Sequence, residues 1–414
     1  MLTTHLLLAL ATILVMSLVF GMLFRKIGQP PVIGDIVAGI VLGPSVLMAL
    51  WPDVGDFLLP AAVGPDLGAV THLGVILFMF LVGLEFNSEA LRSRARTIIA
   101  VSTAGIVAPF ALGALLAVGL YASVAPKDVP LPIFAMFLGV AMSVTAFPVL
   151  ARILAEQGLT RTSLGTMALA CAAVADMAAW CLLALVLGLA NDAPRDTLVT
   201  FGLAVAYTVG MLAIARPLVH RWSRRVGDDG PSPTVLGGVI LLLLLSALAT
   251  DQIGIHPIIG AFLFGILFPS EGNLARLLKA RFETLVTTLF LPVFFVHSGM
   301  RTDLGLLSGG AEWLMCGAIV LVAFAGKFGG SFVAARWTGL DDRQSAALGV
   351  LMNSRGLVEL IVLDIGLEMG ILSPVLFTMM VVMALVTTFA TTPLLRLLLP
   401  ARSTSLDRPA QPVT

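Results

Sequence analysis

Four ionisable side chains lie deep within long apolar stretches of the sequence: Asp176, Lys327, Arg355 and Glu359. Moving one charged side chain to the centre of a lipid bilayer costs roughly 2.5–3.5 kcal/mol, so such residues usually face a protein interior or water and line a path for ions or protons. We therefore expect the function of this chain to reside among these four residues.

Asp176 is the single charge in the segment CAAVADMAAW, Cys171 to Trp180. A buried carboxylate can hold a proton or a metal cation, and the two compete for the same oxygens. Asp176 is thus predicted to bind a transported proton or metal ion. The alternative is a structural acid that pairs with a basic neighbour.

Lys327, Arg355 and Glu359 are predicted to compensate charge inside the membrane. The Lys327 amine either snorkels along a groove to the cytoplasmic interface or, because glycines flank it in AFAGKFGG, lies inside a closely packed bundle. Arg355 and Glu359 are four residues apart on one helix face, so a plain intrahelical ion pair is the alternative to a functional role.

Two apolar segments contain residues that interrupt helices. MSVTAFPVLARIL carries Pro148 shortly after Ser143 and Thr145, and LMNSRGLVELIV carries Asn353 and Gly356. Proline removes a backbone donor and glycine tolerates unwound geometry. Broken backbone deep in a membrane is stable only next to protein or a water-filled cavity. We predict a break near the centre of each segment; the alternative is a mere kink.

Composition places these residues in a membrane protein. Of the 414 residues, 58% are hydrophobic and 12% are charged, against roughly 25% charged in an average soluble domain. The zero net charge and the lack of a basic patch argue against nucleic acid as a partner. No glycine-rich nucleotide motif follows a strand pattern, so no cofactor is predicted.

The apolar stretches divide into thirteen predicted transmembrane spans of an all-α protein. They cover residues 5–24, 31–50, 66–86, 97–122, 131–154, 163–189, 197–219, 234–253, 256–269, 283–300, 312–336, 344–369 and 373–399. Of the 24 Lys and Arg residues, 19 fall on the side that follows odd-numbered spans and 3 on the other. This asymmetry predicts a cytoplasmic C-terminus and an N-terminus outside. Residues 1–400 are predicted to form one transmembrane domain, and 401–414 a short disordered cytoplasmic tail.

The fifth and twelfth spans, which carry the predicted breaks, differ by seven in order and so cross the membrane in opposite directions. This arrangement predicts an inverted repeat, in which two discontinuous helices cross at the midplane and stabilise ions between their half-helix ends. Asp176 lies in the sixth span and Lys327 in the eleventh, so the acid, the lysine and both breaks could share one level of the membrane.

Several segments, in matching order along the chain, resemble the monovalent cation:proton antiporters. They are QPPVIGDIVAGIVLGPSVL, LGVILFMFLVGLEF, SVTAFPVLARIL, ACAAVADMAAWCLLALV, FLPVFFVHSGMRTDL, AGKFGGSFVAARWTG and GVLMNSRGLVELIVLDIGLEMGILS. The resemblance runs from about residue 25 to residue 398. It is to the branch with bacterial sodium or potassium/proton antiporters, glutathione-gated potassium efflux membrane domains and plant cation/proton exchangers. It implies thirteen helices, a dimerisation domain that would form a homodimer, and a mobile core domain.

The resemblance also implies site residues. Cation binding in the family maps onto Asp176 and onto Thr145 and its neighbour Ser143 in the first broken helix, and the family lysine that pairs with an acid maps onto Lys327. The chain departs from the family pattern at Ala175, where electrogenic members carry a second aspartate and electroneutral relatives often carry asparagine. Lys327 therefore lacks the usual acidic partner.

These features predict secondary antiport, without enzymatic activity, of one proton against one Na⁺ or K⁺ ion at Asp176 across the lipid bilayer of a bacterial inner membrane. With Ala175 in place of an acid, the exchange would be electroneutral. One alternative is a gated potassium efflux channel or a non-transporting sensor, favoured by the missing carboxylate. Another is an organic-cation exporter, favoured by the space that a small alanine leaves.

Three further ionisable residues could assist. Glu85 and Asp35 could line an aqueous funnel, although an acid near a helix end is usually just solvated. His297, in FFVHSGM, could titrate near neutral pH and act as a sensor, or be a hydrogen-bonded structural histidine.

Overall fold

In a computed structural model, the chain folds almost entirely into helices. The structure describes residues 2–85, 95–160, 162–190, 194–223, 232–254, 256–269 and 272–399, and this part contains no strand. The predicted all-α class is confirmed. The predicted tail, 401–414, lies outside the described residues.

Nineteen α-helices occur in the described part of the chain. They are α1 (Leu2–Lys26), α2 (Pro31–Leu42), α3 (Leu47–Leu50), α4 (Pro52–Leu58), α5 (Gly64–Glu85), α6 (Ala95–Val124), α7 (Leu131–Ser143), α8 (Phe147–Glu156), α9 (Ser163–Ala190), α10 (Pro194–Gly210), α11 (Arg216–Ser223), α12 (Pro233–Ile253), α13 (Pro257–Ile266), α14 (Asn273–Leu285), α15 (Leu291–Met300), α16 (Gly310–Trp337), α17 (Asp342–Met352), α18 (Leu357–Glu368) and α19 (Pro374–Leu398). Two π-helical segments, Met211–Ala215 and Val286–Phe290, continue α10 into α11 and α14 into α15.

Ten stretches of helix within the described ranges are long and apolar enough to cross a membrane. Each of the thirteen predicted spans coincides with helix, either continuous or divided. The number of crossings and the orientation of the termini stay predictions.

The second predicted span, 31–50, coincides with a membrane-length apolar stretch, Pro31–Leu50, but its helix is divided. Its first helix, α2, ends at Leu42, and helix resumes only with α3. The next residue, Gly43, precedes Pro44, and a proline ring disfavours helical backbone in the residue before it. Hydropathy alone did not register this stop.

The tenth predicted span, 283–300, lies within a longer helical stretch. In the structure, helix starts at Asn273 and runs into α15. The added turns bury Leu274, Leu278 and Phe282, which recur every four residues on one face. Charged residues share the same turns, so the segment is amphipathic and its mean hydropathy is low.

The helices pack into two groups. The break group contains α6 to α9 and α16 to α19, with α6 packed against α7, α9 and α16. The flanking group contains α1, α2, α5, α12, α13 and α15, with α13 packed against α5 and α12, and α2 against α1 and α15. The groups meet where α15 touches α18 and α2 touches α19, and α10 lies against both α9 and α12.

Two helices of the break group are interrupted, as predicted. α7 ends at Ser143 and α8 begins at Phe147, so the chain is non-helical over 144–146. α17 ends at Met352 and α18 begins at Leu357. Both interruptions are breaks of the helix, not kinks.

Close contact between α5 and α13 depends on two glycines, which generates a stability prediction. A Cβ added at Gly83 would lie 2.8 Å from the Cα of Gly265. Backbone cannot yield as a flexible side chain can, so we expect Gly83→Ala to cost about 1–3 kcal/mol of stability and to lower the thermal unfolding midpoint in detergent.

The matched control is Gly119→Ala in α6, where an added Cβ meets nothing within 4 Å. This change should be neutral or stabilising by up to about 1 kcal/mol, because alanine favours helix over glycine. Equal midpoints for the two variants would contradict the close packing of α5 on α13.

Candidate functional site

The amine of Lys327, from α16, caps the end of α7. A helix end leaves its last carbonyl groups without intrahelical partners. Lys327 is fully buried, and its amine donates to the carbonyl oxygen of Ser143. Of the two predicted placements, the structure shows the interior one, and the side chain does not snorkel to an interface.

Arg355, in the second break, caps the same end of α7. Its guanidinium donates to the carbonyl oxygen of Met142 at 2.7 Å and to that of Ala141 at 3.4 Å. It also donates to Oε1 of Glu359 at 2.9 Å, so the predicted pair is present, with both side chains fully buried. Two basic side chains therefore donate to carbonyl groups at the C-terminus of α7, where the helix dipole favours positive charge.

The two breaks are hydrogen-bonded to each other. The backbone N–H of Ala146 donates to the carbonyl oxygen of Ser354 at 3.0 Å. Gly356, just before α18, has a φ of 152°, a conformation that favours glycine. The Thr388 hydroxyl of α19 accepts from the backbone N–H of Arg355 at 2.9 Å and donates to its carbonyl oxygen at 2.8 Å. The unwound backbone is thus held from both sides.

Asp176, on α9, is buried beside this junction. Its carboxylate interacts electrostatically with the Lys327 amine, and the N–H of Phe147 at the start of α8 lies near it but outside hydrogen-bond geometry. Neither carboxylate oxygen has a hydrogen-bond partner among the described residues. A positive helix N-terminus favours a negative charge here, and the two free oxygens can accept a proton or a cation.

Other buried oxygens near the breaks are also unpartnered in the part of the chain that the structure describes. They include Thr145 Oγ1, which was a predicted ligand, Asn353 Oδ1, which was predicted only to break a helix, and Oε2 of Glu359. The Ser143 hydroxyl donates to the carbonyl oxygen of Val140 at 2.8 Å, so only its lone pairs are available. In transporters with broken helices, the cation site lies at the breaks, where freed backbone carbonyls coordinate the ion.

The remaining predicted residues lie apart from the breaks. Asp35 is buried in the flanking group and accepts a hydrogen bond from the Ser17 hydroxyl at 2.7 Å. His297 lines a cavity between the two helix groups. The side chain of Glu85 lies outside the described residues. Ala175, by contrast, is fully buried and directly precedes Asp176.

Sequence reasoning missed Thr388, which ties α19 to the second break. A signal was present in the segment TTFATT, whose hydroxyls recur one helical turn apart in an apolar helix. The four threonines Thr387, Thr388, Thr391 and Thr392 are all buried. A polar face on such a helix indicates contact with other polar groups and not with lipid.

Helices that are interrupted near their centres and meet at buried charges, within a bundle of membrane-length helices, characterise secondary-active ion transporters. The fold and the site of this integral membrane protein define a member of that class.

Comparison with known proteins makes the class specific. The family model "Sodium/hydrogen exchanger, transmembrane" matches residues 10–399. The Na⁺/H⁺ antiporter NhaS4 of Synechocystis sp. is 43% identical over 405 residues, which is 96% of this chain and 99% of that protein. The K⁺/H⁺ antiporter 1 of Saccharomyces cerevisiae is 35% identical over 388 residues, 91% of this chain but only 44% of that protein. The chain belongs to the sodium/hydrogen exchanger family of cation/proton antiporters.

A solved structure shares the fold. The sodium proton antiporter MjNhaP1 of Methanocaldococcus jannaschii superposes with a TM-score of 0.64, covering 96% of this chain and 97% of that chain at 16% identity. At this identity the likeness concerns the fold alone.

The buried pair of Arg355 and Glu359 generates a second stability prediction. Arg355→Gln leaves the Glu359 carboxylate without its cation and two carbonyls of α7 without their donor, and breaking a buried pair in this way costs about 3–5 kcal/mol. We expect a marked fall in the thermal unfolding midpoint of the purified protein.

The double variant Arg355→Gln, Glu359→Gln should be no less stable than Arg355→Gln alone, because the second change removes the uncompensated carboxylate. Midpoint losses that add up from the two single variants would contradict the pairing and would indicate two independent residues.

Proposed function

We propose that this chain exchanges one proton for one monovalent cation, Na⁺ or K⁺, by alternating access, with both ions competing for Asp176. The observation that carries the proposal is the buried Asp176 carboxylate, whose two oxygens lack partners beside two broken helices. A buried carboxylate that already accepts hydrogen bonds from protein donors needs no further ligand. The Asp176 carboxylate has no such donors among the described residues, so binding of a proton or a cation stabilises it.

The proposed binding site combines oxygens of three kinds. Asp176 supplies the charge, and Thr145, with Asn353 and the lone pairs of Ser143, supplies neutral oxygens near the breaks. A bound cation would replace its hydration shell with these groups, and a proton would occupy one carboxylate oxygen instead. The two loaded forms exclude each other because they use the same carboxylate.

The balance of charge among the four buried ionisable residues of the site favours an electroneutral cycle. The formal charges of Asp176, Glu359, Lys327 and Arg355 sum to zero. Binding of a proton or of an alkali ion adds the same single positive charge, so the two loaded forms carry equal charge across the membrane. Ala175 offers no second titrating acid that could change this count.

Movement is proposed to occur between the two helix groups. The break group would act as the mobile core, and the flanking group would form the dimerisation surface of a homodimer in a bacterial inner membrane. The contacts of α15 with α18 and of α2 with α19 lie between the groups, so these contacts would change during each cycle.

Asp176→Asn is the direct test of the shared site. The amide keeps the size of the carboxylate but cannot bind a proton or attract a cation, so pH-coupled flux should fall to the background of protein-free vesicles. The measurement is a pH jump in proteoliposomes with Na⁺ or K⁺, read by an internal pH dye.

The matched control is Asp53→Asn, which neutralises an exposed acid of α4 and should leave exchange unchanged. Intact exchange in Asp176→Asn would remove the basis of the proposed mechanism. Single-channel currents in a planar bilayer would favour a channel instead.

Exchange of one proton for one monovalent cation moves no net charge, so the equilibrium ion distribution should not depend on membrane potential. A cycle that moves one net charge is biased by about 2.3 kcal/mol per 100 mV, roughly fifty-fold in an equilibrium ratio. With Na⁺ as the exchanged cation, which valinomycin does not carry, we expect the final Na⁺ distribution in wild-type vesicles to be the same at any valinomycin-clamped potential.

Ala175→Asp places a second acid next to Asp176 and should make that distribution depend on potential if the new acid also carries a proton. A wild-type distribution that shifts with the clamped potential would refute the electroneutral count, whatever the variant does.

A further inference from the structure

A cavity of about 420 Å³ lies between the break group and the flanking group. Val75 of α5 and Phe294 of α15 line it from the flanking group, and Leu187 of α9 and Ile361 of α18 line it from the break group. Its rim carries charged side chains from both groups. These charges lie beyond the Asp176 site, and the exchange mechanism above does not use them.

Ion pairs join the two groups at this rim. Arg301 directly follows α15, and its Nη1 lies 3.2 Å from Oδ1 of Asp364 and 3.1 Å from Oε1 of Glu368. Both acids are on α18 and are four residues apart, so they share one face of that helix. A single guanidinium nitrogen thus connects the end of α15 to two positions on α18.

His72 adds a titratable contact to the same acid. Its Nε2, on α5 of the flanking group, lies 3.5 Å from Oε1 of Glu368, and the imidazole side chain is 58% exposed and lines the cavity. Histidine is the side chain whose charge changes near neutral pH. Protonation of His72 would turn this contact into a third ion pair between the groups.

Other charged and titratable groups surround His72, and Asp251 of α12 lines the same cavity. Asp364 and Arg301 face it from α18 and from the end of α15. His256, before α13, and His297, on α15, also sense its charge. The His256 Nδ1 accepts the backbone N–H of Ile258, a bond that requires a free lone pair on that nitrogen.

These ion pairs hold the far end of the half-helix that begins at the second break. α18 starts at Leu357, carries Glu359 in its first turn and ends at Glu368. Relative movement of the two groups would therefore separate Arg301 from both acids or drag α18 with α15.

We propose that Arg301 is a positioning residue that locks α18 to the flanking group through Asp364 and Glu368, and that a proton on His72 tightens this lock. The proposal rests on the exchange function proposed above. The lock restrains the step in which the groups move, and acid on the solution side of the cavity strengthens the restraint.

The test is the rate of alkali/proton exchange at saturating cation, in proteoliposomes that hold the chain in one orientation. Arg301→Gln removes two partly exposed ion pairs between the groups, and such pairs are weak, so the rate should rise only about two- to five-fold. Arg301→Lys retains the charge and should stay nearer to wild type.

The matched control is Arg336→Gln. Arg336 pairs with Asp342 at 2.6 Å, but both residues belong to the break group, so its loss should leave the rate unchanged. An unchanged or lower rate in Arg301→Gln, or an equal rise in Arg336→Gln, overturns the lock.

A pH profile separates positioning from a general effect on stability. When the solution on the cavity side is acidified from about pH 8 to about pH 6, wild type should slow more than His72→Gln, because only wild type gains the third ion pair. When the opposite side is acidified, the two proteins should respond alike. Identical profiles on both sides overturn the role of His72.

A second variant and the wild-type control separate failure of the lock from failure to fold and from failure of the antiporter function. If Arg301→Gln does not reach the membrane folded, Glu368→Gln carries the test, since it removes the partner of both Arg301 and His72. Absence of exchange in wild type would defeat the antiporter function itself, whereas exchange in wild type with an unaltered Arg301→Gln rate defeats only the lock.

Discussion

The structure depends on how the carbonyl groups at the end of α7 are satisfied away from water. Each unpaired backbone group in such surroundings costs several kcal/mol, and the break after Ser143 exposes several at once. Lys327 reaches these carbonyls from α16, and Arg355 reaches them from the second break. The folded bundle therefore stabilises the break by bringing two basic side chains to it, and acids lie near both of them.

The two buried acids of the site, Glu359 and Asp176, differ in their hydrogen bonding. Glu359 pairs directly with Arg355 at 2.9 Å, whereas Asp176 faces a lysine whose amine is already bound to Ser143. The Asp176 carboxylate feels a positive neighbour without being hydrogen-bonded to it. A buried carboxylate without hydrogen-bond donors is free to take up a ligand, which is what the proposed competition between a proton and an alkali ion requires. With alanine at position 175, no second acid of α9 competes for Lys327.

The second break is organised by neutral groups and joins the site to the surface of the bundle. Thr388 bonds both backbone groups of Arg355, and Ser354 bonds the first break, so the two interruptions behave as one polar unit. From this unit α18 extends to the Arg301 ion pairs at the cavity. Glycine contacts such as that of Gly83 with Gly265 make the flanking group closely packed, while the contacts between groups are fewer and partly ionic. The boundary between the groups is thus the part of the fold best suited to move.

The sequence by itself determined the all-α class, the apolar segments, the two helix breaks and the family, because hydropathy, proline, glycine and quoted motifs are local properties of the chain. It also singled out Asp176, Lys327, Arg355 and Glu359, since charge within an apolar stretch is conspicuous. Only the tertiary structure decided that Lys327 binds a carbonyl and not an acid, that Thr388 holds the second break, and that Arg301 joins α15 to α18. Those contacts join residues far apart in sequence, and their partners are chosen by the packing of helices, which no local pattern records.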